Sequence, residues 1–314
     1  MMKAIRLHAR GGAEQLVYEE APRPALRPGD ALVRVLASGL TRNELDWDPT
    51  YTNERGQPRL PSIPGHELCG VVETITPGVT EVAPGDVVYG LTSFFRDGTA
   101  AEYVAVSAAD LAPKPRVMSA VEAAAVPLAG LTAWQALFDH GKLAARQRVL
   151  VHGAAGGVGN FAVQLAKWRG AQVIGGTSAA NIQFVKDLGA HDAIDYAASP
   201  FETATKPVDM ILDTIGGEIQ RRSWSLLKPG GVLVSIAGEG IEVPADVRGD
   251  RRGLFFIVKA DRQELIKIGQ LINDGSVKTV IAAVVSLERG REAFDELVQS
   301  NKRGKVVLSV SRAT

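Results

Sequence analysis

Short apolar runs separated by proline–glycine turns occupy the chain before Ser119. Residues 31–36 and 70–75 are two such runs, and residues 27–30 form one of the turns. Many short strands with frequent turns are typical of a barrel-like domain. The longer polar stretch 46–64 interrupts this rhythm, and loops of that length are often functional.

After Ser119 the pattern changes to an alternation of helices and strands. Ser119 and Glu122 fit a capping box at the start of an alanine-rich helix. The alternation that follows is typical of a parallel sheet covered by helices on both faces. The predicted strands are 148–151, 172–175, 208–213, 231–236 and 305–310, and the predicted helices are 128–140, 160–169, 182–188, 217–227, 262–273 and 287–300.

Composition and charge narrow the class of protein. The 314 residues are 46% hydrophobic, and 35 Lys and Arg balance 35 Asp and Glu. This length predicts about two domains, and a net charge of zero argues against a dedicated nucleic-acid binder. Cys69 is the single cysteine, which excludes an intramolecular disulfide and a multi-cysteine metal site. No run approaches the ~18 apolar residues of a membrane helix, and the N-terminus lacks a signal-peptide pattern, so we expect a cytoplasmic protein that does not enter a membrane.

One loop carries the strongest functional signal. A short apolar strand leads into residues 152–159 and then into a helix, and the spacing fits A-x-G-x-x-G at Ala154, Gly156 and Gly159. Gly156 lets the backbone approach a pyrophosphate, Gly159 lets the helix pack closely on the strand, and the helix N-terminus offers unpaired N–H groups. A glycine-rich turn without a ligand is the alternative, but the strand–loop–helix–strand context favours a dinucleotide site. The residues expected to bind the cofactor here are Ala154, Gly156, Gly157 and Val158.

The end of the second strand bears on the choice of cofactor. NAD sites usually place an acidic residue there to bind the ribose 2′-hydroxyl, whereas residues 175–181 contain none. A carboxylate would repel a 2′-phosphate, so its absence favours NADPH, and Thr177 and Ser178 are predicted to hydrogen-bond that phosphate. No Arg or Lys lies in this stretch, so a cation has to come from a distant part of the chain.

Ordered motifs occur along nearly the whole chain. They are Pro-Gly-His-Glu at 64–67, Val-Ala-Pro-Gly-Asp at 82–86, Gly-x-x-Ala-Glu-Tyr at 98–103, Pro-Leu-Ala-Gly-Leu-Thr-Ala-Trp at 127–134, the glycine loop at 155–159, Leu-Gly-Ala at 188–190 and Gly-Lys-Val-Val-Leu at 304–308. Together they resemble the zinc-independent quinone oxidoreductase branch of the medium-chain dehydrogenase/reductase superfamily.

This resemblance implies an α/β protein with two domains. A GroES-like β-barrel domain would comprise 1–122 and 261–314, and a Rossmann domain with a doubly wound parallel sheet would comprise 123–260. The resemblance also places Tyr196 and Lys305 near the cofactor, although Tyr196 could only pack and Lys305 could be a surface charge. By analogy we expect a homodimer in which the apolar run 253–258 pairs across a twofold axis, the alternative being an internal strand of the same sheet.

The residues at the family's metal positions bear on the chemistry. Some members hold a catalytic zinc with Cys, His and Cys or Asp, and the first of these cysteines falls on Thr41 here, while Cys69 lies outside the ligand pattern. His66 and Glu67 remain, but a zinc site needs three protein ligands, so we expect no metal. Without a Lewis acid, the expected reaction is hydride transfer from NADPH to an electron-poor small molecule, a quinone or an α,β-unsaturated carbonyl.

Three residues are candidate catalytic groups, namely Thr41, Tyr51 and His66. Tyr51 is predicted to donate to a carbonyl oxygen. His66 is predicted to stabilise the loop or line the cleft, or to donate a proton because imidazole titrates near neutral pH. Related quinone oxidoreductases often carry Asn at the position of Thr41. Two other functions stay open, an enoyl-thioester reductase of the same fold and a non-catalytic NADPH-binding or sensor protein.

Overall fold

The structure is a computed structural model that describes residues 1–198, 200–238, 240–241, 243–244, 247, 249–298 and 303–310. The described residues form two large sheets, one of seven strands that is mostly antiparallel and one of six parallel strands. The first sheet is the GroES-like domain and the second is the Rossmann domain, as the sequence predicts.

The first domain is assembled from short strands joined by turns. Its elements before the second domain are β1 (Met2–Leu7), β2 (Leu16–Ala21), β3 (Asp30–Leu40), α1 (Asp48–Tyr51), β4 (Glu67–Ile75), β5 (Val87–Leu91), β6 (Tyr103–Ser107), β7 (Leu111–Pro113) and α2 (Ala120–Ala124). Ser119 caps α2 with the predicted capping box, because its hydroxyl accepts from the Glu122 N–H while the Glu122 carboxylate accepts from the Ser119 N–H.

The second domain alternates strands and helices. Its elements are α3 (Pro127–Trp134), β8 (Arg148–His152), α4 (Gly157–Trp168), β9 (Gln172–Thr177), α5 (Ile182–Asp187), β10 (Asp192–Asp195), α6 (Phe201–Ala204), β11 (Val208–Asp213), α7 (Gly217–Ser223), β12 (Leu227–Ser235) and β13 (Arg252–Phe255). The strand order is β10-β9-β8-β11-β12-β13. The central strand β8 is buried on both faces, as a sheet with helices on each side requires.

The last part of the chain returns to the first domain. It forms α8 (Arg262–Asn273), β14 (Ile281–Ser286), α9 (Gly290–Val298) and β15 (Lys305–Ser309). β15 pairs antiparallel with the end of β3, with Lys305 just beyond the register that joins Val306 to Leu40. This pairing brings Lys305 to the end of the barrel strand that precedes Thr41. The domain limits of the sequence analysis, 122/123 and 260/261, stay a prediction.

The differences from the predicted elements are at their ends. The predicted helix 128–140 is an α-helix to Trp134 and a π-helix over Gln135–His140. The predicted helix 217–227 ends at Ser223 in a 3₁₀ turn. The predicted helix 287–300 begins with a 3₁₀ turn, and its last two residues lie outside the described part of the chain. Hydrophobic periodicity does not distinguish 3₁₀ or π geometry from the α-helix, and helix ends often adopt 3₁₀ geometry.

Two further features concern the surface of the described residues. The apolar run 253–258 contains β13, which is hydrogen-bonded to β12 and forms one edge of the six-stranded sheet. Ile257, two residues beyond β13, is 64% exposed. Among the described residues, none of the helices has the length and apolar character needed to cross a membrane.

Candidate active site

The glycine loop between β8 and α4 has the geometry of a phosphate site. Gly153 adopts a φ of 65°, which favours glycine. A Cβ on Gly159 would collide with the carbonyl oxygen of Gly153 and would lie 2.8 Å from Cα of Ala154, so only glycine lets α4 start against the end of β8. A Cβ on Gly156 would meet a single atom within 4 Å, which leaves space above that residue for a ligand.

The first turn of α4 presents its N–H groups beside that space. The first N–H groups of an α-helix have no partners within the helix, and here they belong to Gly157 and Val158. The Asn160 amide donates to the carbonyl oxygens of Gly156 and Gly157, each at 2.7 Å, and so fixes the loop. The residues present therefore fit the pyrophosphate of a dinucleotide.

A cation that the sequence analysis required but did not identify lies beside the turn that follows β9. Nε of Arg303 donates to Oδ1 of Asn181 at 2.7 Å, and another guanidinium nitrogen donates to the Ala180 carbonyl at 2.8 Å. Ser178 accepts from the Asn181 amide at 3.3 Å, and Thr177 is the last residue of β9. The available signal was that Arg303 lies two residues before Lys305, which the family resemblance places near the cofactor.

Tyr196 belongs to the same edge of the sheet. Its N–H donates to the Thr177 carbonyl at 3.2 Å, and its side chain is 55% exposed. The carbonyl of Gly176, next to the buried Thr177, accepts from the N–H of Ala154 at 3.0 Å, so the end of β9 lies against the glycine loop. The cofactor contacts of Tyr196, Thr177 and Ser178 stay a prediction.

Lys305 links the glycine loop to the barrel. Its buried ammonium forms an ion pair with Glu67 and donates to Oγ1 of Thr41 at 3.1 Å. A Cβ on Gly157 would lie 3.0 Å from Cδ of Lys305, so the lysine stem passes over the start of α4. The other Glu67 oxygen accepts from the N–H of Leu128 at 2.9 Å. Lys305 is therefore buried, and the alternative from the sequence, that Lys305 is only a surface charge, does not hold.

Glu44 is a site residue that the sequence analysis missed. Its carboxyl oxygens accept from the N–H of Thr41 and from the N–H of Gly65, each at 3.1 Å. Burial raises the pKa of Glu44 to about 8, against the opposing field of Lys305. Glu44 thus joins the segment after β3 to the segment before β4 and is mostly protonated at neutral pH.

His66 lies in an aromatic cluster. Its ring stacks on Trp47 with centroids 5.9 Å apart and meets the edge of Phe94 at 5.0 Å. Burial, together with the smaller effect of the Arg59 guanidinium, lowers the pKa of His66 to about 3. Within the described part of the chain, Nδ1 has no hydrogen-bond partner. This neutral ring fits a cleft wall better than a proton donor.

Tyr51 is placed differently from the other two candidates. Its hydroxyl donates to the Leu45 carbonyl, and its ring is buried in a core of the first domain. The Arg10 guanidinium covers the ring at 4.1 Å from the centroid. Since this hydroxyl proton is already used, we do not keep Tyr51 as a donor to a substrate carbonyl.

The donor set does not suit zinc. Cys69 lies outside the family's ligand pattern, and burial raises the pKa of its thiol to about 12. Cys69 packs in the hydrophobic core. In the residues that the structure describes, no group of three or more His, Cys, Asp or Glu side chains could hold a metal ion.

Comparisons with known proteins identify the family to which the chain belongs. Residues 27–116 match the alcohol dehydrogenase GroES-like domain, and residues 188–308 match the zinc-binding dehydrogenase family. A probable zinc-binding oxidoreductase, mitochondrial, from Arthroderma benhamiae is 34% identical and covers 92% of this chain and 91% of its own. The 2-methylene-furan-3-one reductase of Solanum lycopersicum is 32% identical over 98% of this chain and 79% of its own.

A solved structure extends the likeness to three dimensions. The quinone oxidoreductase from Coxiella burnetii has a TM-score of 0.88 and 30% sequence identity, with 99% of each chain covered. Both domains, the glycine loop and the returning C-terminal strand are thus accounted for in one architecture. The chain is an oxidoreductase that belongs to the medium-chain dehydrogenase/reductase superfamily, with quinone oxidoreductases among its homologues.

Proposed function

We propose that this protein is an NADPH-dependent reductase that transfers hydride to a quinone or an α,β-unsaturated carbonyl without zinc. The observation that carries the proposal is the Arg303 guanidinium, which donates to Ala180 and Asn181 in the turn that follows the acid-free end of β9. A 2′-phosphate needs a positive charge and hydrogen-bond donors, and this corner offers both. NADPH, when bound, supplies the hydride, while the chain binds and orients the two reactants.

The partly exposed rings of Trp47 and Phe94 support a flat, conjugated acceptor. Both rings pack against the buried ring of His66, and Thr41 and Lys305 provide polar groups near the glycine loop. Acceptors of this class spread the incoming negative charge, so they need positioning and hydrogen-bond donors more than a Lewis acid. The name of one relative specifies a methylene-furanone, and the solved structure is named a quinone oxidoreductase.

Cofactor choice is tested by replacing Arg303. Arg303→Met should weaken NADPH binding about 10- to 150-fold, since a hydrogen bond to a charged group contributes about 1.5–3 kcal/mol. NADH binding should not change, because NADH lacks the 2′-phosphate. Arg289→Met is the matched control, since Arg289 is exposed and pairs with Glu292 in the adjacent turn of α9. Fluorescence titration measures both affinities, and equal losses for NADPH and NADH would contradict the assignment of Arg303.

The acceptor class is tested by following NADPH absorbance with a panel. The panel contains 9,10-phenanthrenequinone, a simple enone, an enoyl-CoA and a plain ketone, with and without a chelator. Turnover of the quinone or enone and not of the ketone, unaffected by chelation, is the expected result. Turnover of the thioester alone would favour the enoyl-thioester reductase, and tight NADPH binding without any turnover would favour a sensor.

Two further proposals concern assembly and location. The edge strand β13 and the exposed Ile257 beyond it support a homodimer in which two such edges meet across a twofold axis. The proposed location is the cytoplasm, although the name of one relative describes that protein as mitochondrial.

A further inference from the structure

The Thr41 hydroxyl and the Lys305 ammonium form a pair that binding of the cofactor does not explain by itself. We propose that Thr41 donates a hydrogen bond to the acceptor oxygen on which negative charge develops, and that Lys305 positions and polarises the Thr41 hydroxyl for that role. The inference rests on the proposed reductase function and names the group that would stabilise its oxyanion. Thr41 would be a catalytic residue and Lys305 a positioning residue.

The direction of the hydrogen bond supports this division of roles. A lysine ammonium has only donors, so Oγ1 of Thr41 has to accept from Nζ of Lys305 at 3.1 Å. A threonine hydroxyl has a single proton, and that proton cannot point toward the ammonium. Among the described residues the Thr41 hydroxyl has no acceptor, and the side chain is partly exposed. The O–H is therefore available to a ligand in the cleft.

Two contacts set the position of the Lys305 side chain. Glu67, which is fully buried, forms the ion pair with Lys305 and is itself held by the Leu128 N–H at the start of α3. The stem of Lys305 lies on Gly157, in the first turn of α4. Since both helices belong to the second domain and Thr41 to the first, the pair fixes the hydroxyl relative to the glycine loop.

Charge at the pair explains why the hydroxyl would be a good donor. Hydrogen bonds that involve an ionised partner are stronger and shorter than neutral ones, and a hydroxyl that accepts from a cation becomes a better donor. Glu44 holds the N–H of Thr41 without adding a full negative charge at neutral pH, because burial keeps most of this carboxyl protonated. Among the described residues, Glu67 is thus the one carboxylate that forms an ion pair with Lys305, so a single negative charge faces the cation.

The first test replaces Thr41. Thr41→Val keeps the shape and removes the donor, whereas Thr41→Ser keeps the donor. We expect Thr41→Val to lower kcat for quinone or enone reduction by ~100- to 1,000-fold, as for the loss of other oxyanion donors. NADPH affinity should stay within ~2-fold of wild type, because the substitution removes a contact with the acceptor in the transition state and not a contact with the cofactor. Thr41→Ser should recover most of the activity.

The second test asks whether Lys305 acts through Thr41. Lys305→Met alone leaves the Glu67 charge buried and unpaired, which could prevent folding. The double variant Lys305→Met/Glu67→Gln removes both charges and keeps the protein testable. If Lys305 acts through Thr41, the double variant should lose activity, and adding Thr41→Val to it should lower kcat by less than ~10-fold more.

The outcomes separate the inference from the proposed function. If wild type oxidises NADPH with none of the acceptors, the proposed reductase function fails. If wild type is active and Thr41→Val retains its kcat, or loses NADPH affinity in place of kcat, the inference fails while the reductase stands. Fully multiplicative losses in Thr41→Val and in the charge-pair variant would refute the coupling of Lys305 to Thr41.

Discussion

The protonation state of His66 affects both the folding stability of the protein and its proposed mechanism, so one substitution can test both. Burial lowers the pKa of His66 to about 3 from an ordinary value of 6.5. As pH falls below 6.5, the unfolded chain therefore binds a proton that the folded protein does not bind. The free energy of unfolding then decreases continuously until the pH reaches about 3. Since pH 5 lies about 1.5 units below 6.5, and one unit corresponds to about 1.4 kcal/mol, the free energy of unfolding at pH 5 is lower by about 2 kcal/mol.

The perturbation is His66→Phe, which keeps a ring between Trp47 and Phe94 but cannot titrate. The difference in unfolding free energy between pH 8 and pH 5, from urea titrations, should be smaller than in wild type by about 2 kcal/mol. His152, whose pKa burial lowers to about 4, stays in both proteins and cancels in the comparison.

The activity profile tests the same assignment. A neutral His66 contributes no limb near pH 6.5 to the profile of kcat/KM, so His66→Phe should leave the shape of the profile unchanged. A limb with an apparent pKa of 6–7 that disappears in His66→Phe would show that the imidazolium is a proton donor. An unaltered pH dependence of stability in the variant would equally refute the reasoning from burial.

Two other predictions concern the loop and the surface. Gly159→Ala places a Cβ against the Gly153 carbonyl, so α4 has to move away from β8. NADPH affinity should fall at least ~10-fold while the free energy of unfolding falls by about 1–3 kcal/mol, and unchanged affinity by fluorescence titration would refute the loop assignment. Ile257→Lys puts a charge beside the exposed edge of β13, so light scattering at micromolar concentration should show a monomer where wild type is a dimer. A wild-type monomer would end the dimer proposal.

The parts of the fold that sequence predicts well are those set by local periodicity. The strand 208–213 and the helix 262–273 are found at the predicted limits, because each carries an uninterrupted pattern with clear turn or cap residues. The strand predicted at 231–236 begins earlier, at Leu227, because Leu227 pairs with Val208 across an irregularity in register. That pairing is a tertiary contact and leaves no local pattern.

The candidate site also combines local features, which the sequence predicts, with tertiary contacts, which it does not predict. The glycine loop is local, so its residues and spacing predict it. Arg303 and Asn181 are 122 positions apart, and Lys305 and Thr41 are 264 apart, so only the folded sheets bring them together. Tyr51 illustrates the reverse error, since its position in a polar loop suggested an available hydroxyl while the fold turns that hydroxyl to the Leu45 carbonyl.

The charges of the side chains around Thr41 and His66 bear on the delocalised acceptors proposed for this site. Burial keeps His66 neutral, Cys69 as a thiol and Glu44 mostly protonated. Lys305 and Glu67 form an ion pair whose charges cancel at a distance. Such a site can offer an oriented hydroxyl but not the concentrated positive charge of a metal ion, so a localised alkoxide would be poorly stabilised. An enolate or phenolate carries its charge over several atoms, and one polarised donor is then sufficient.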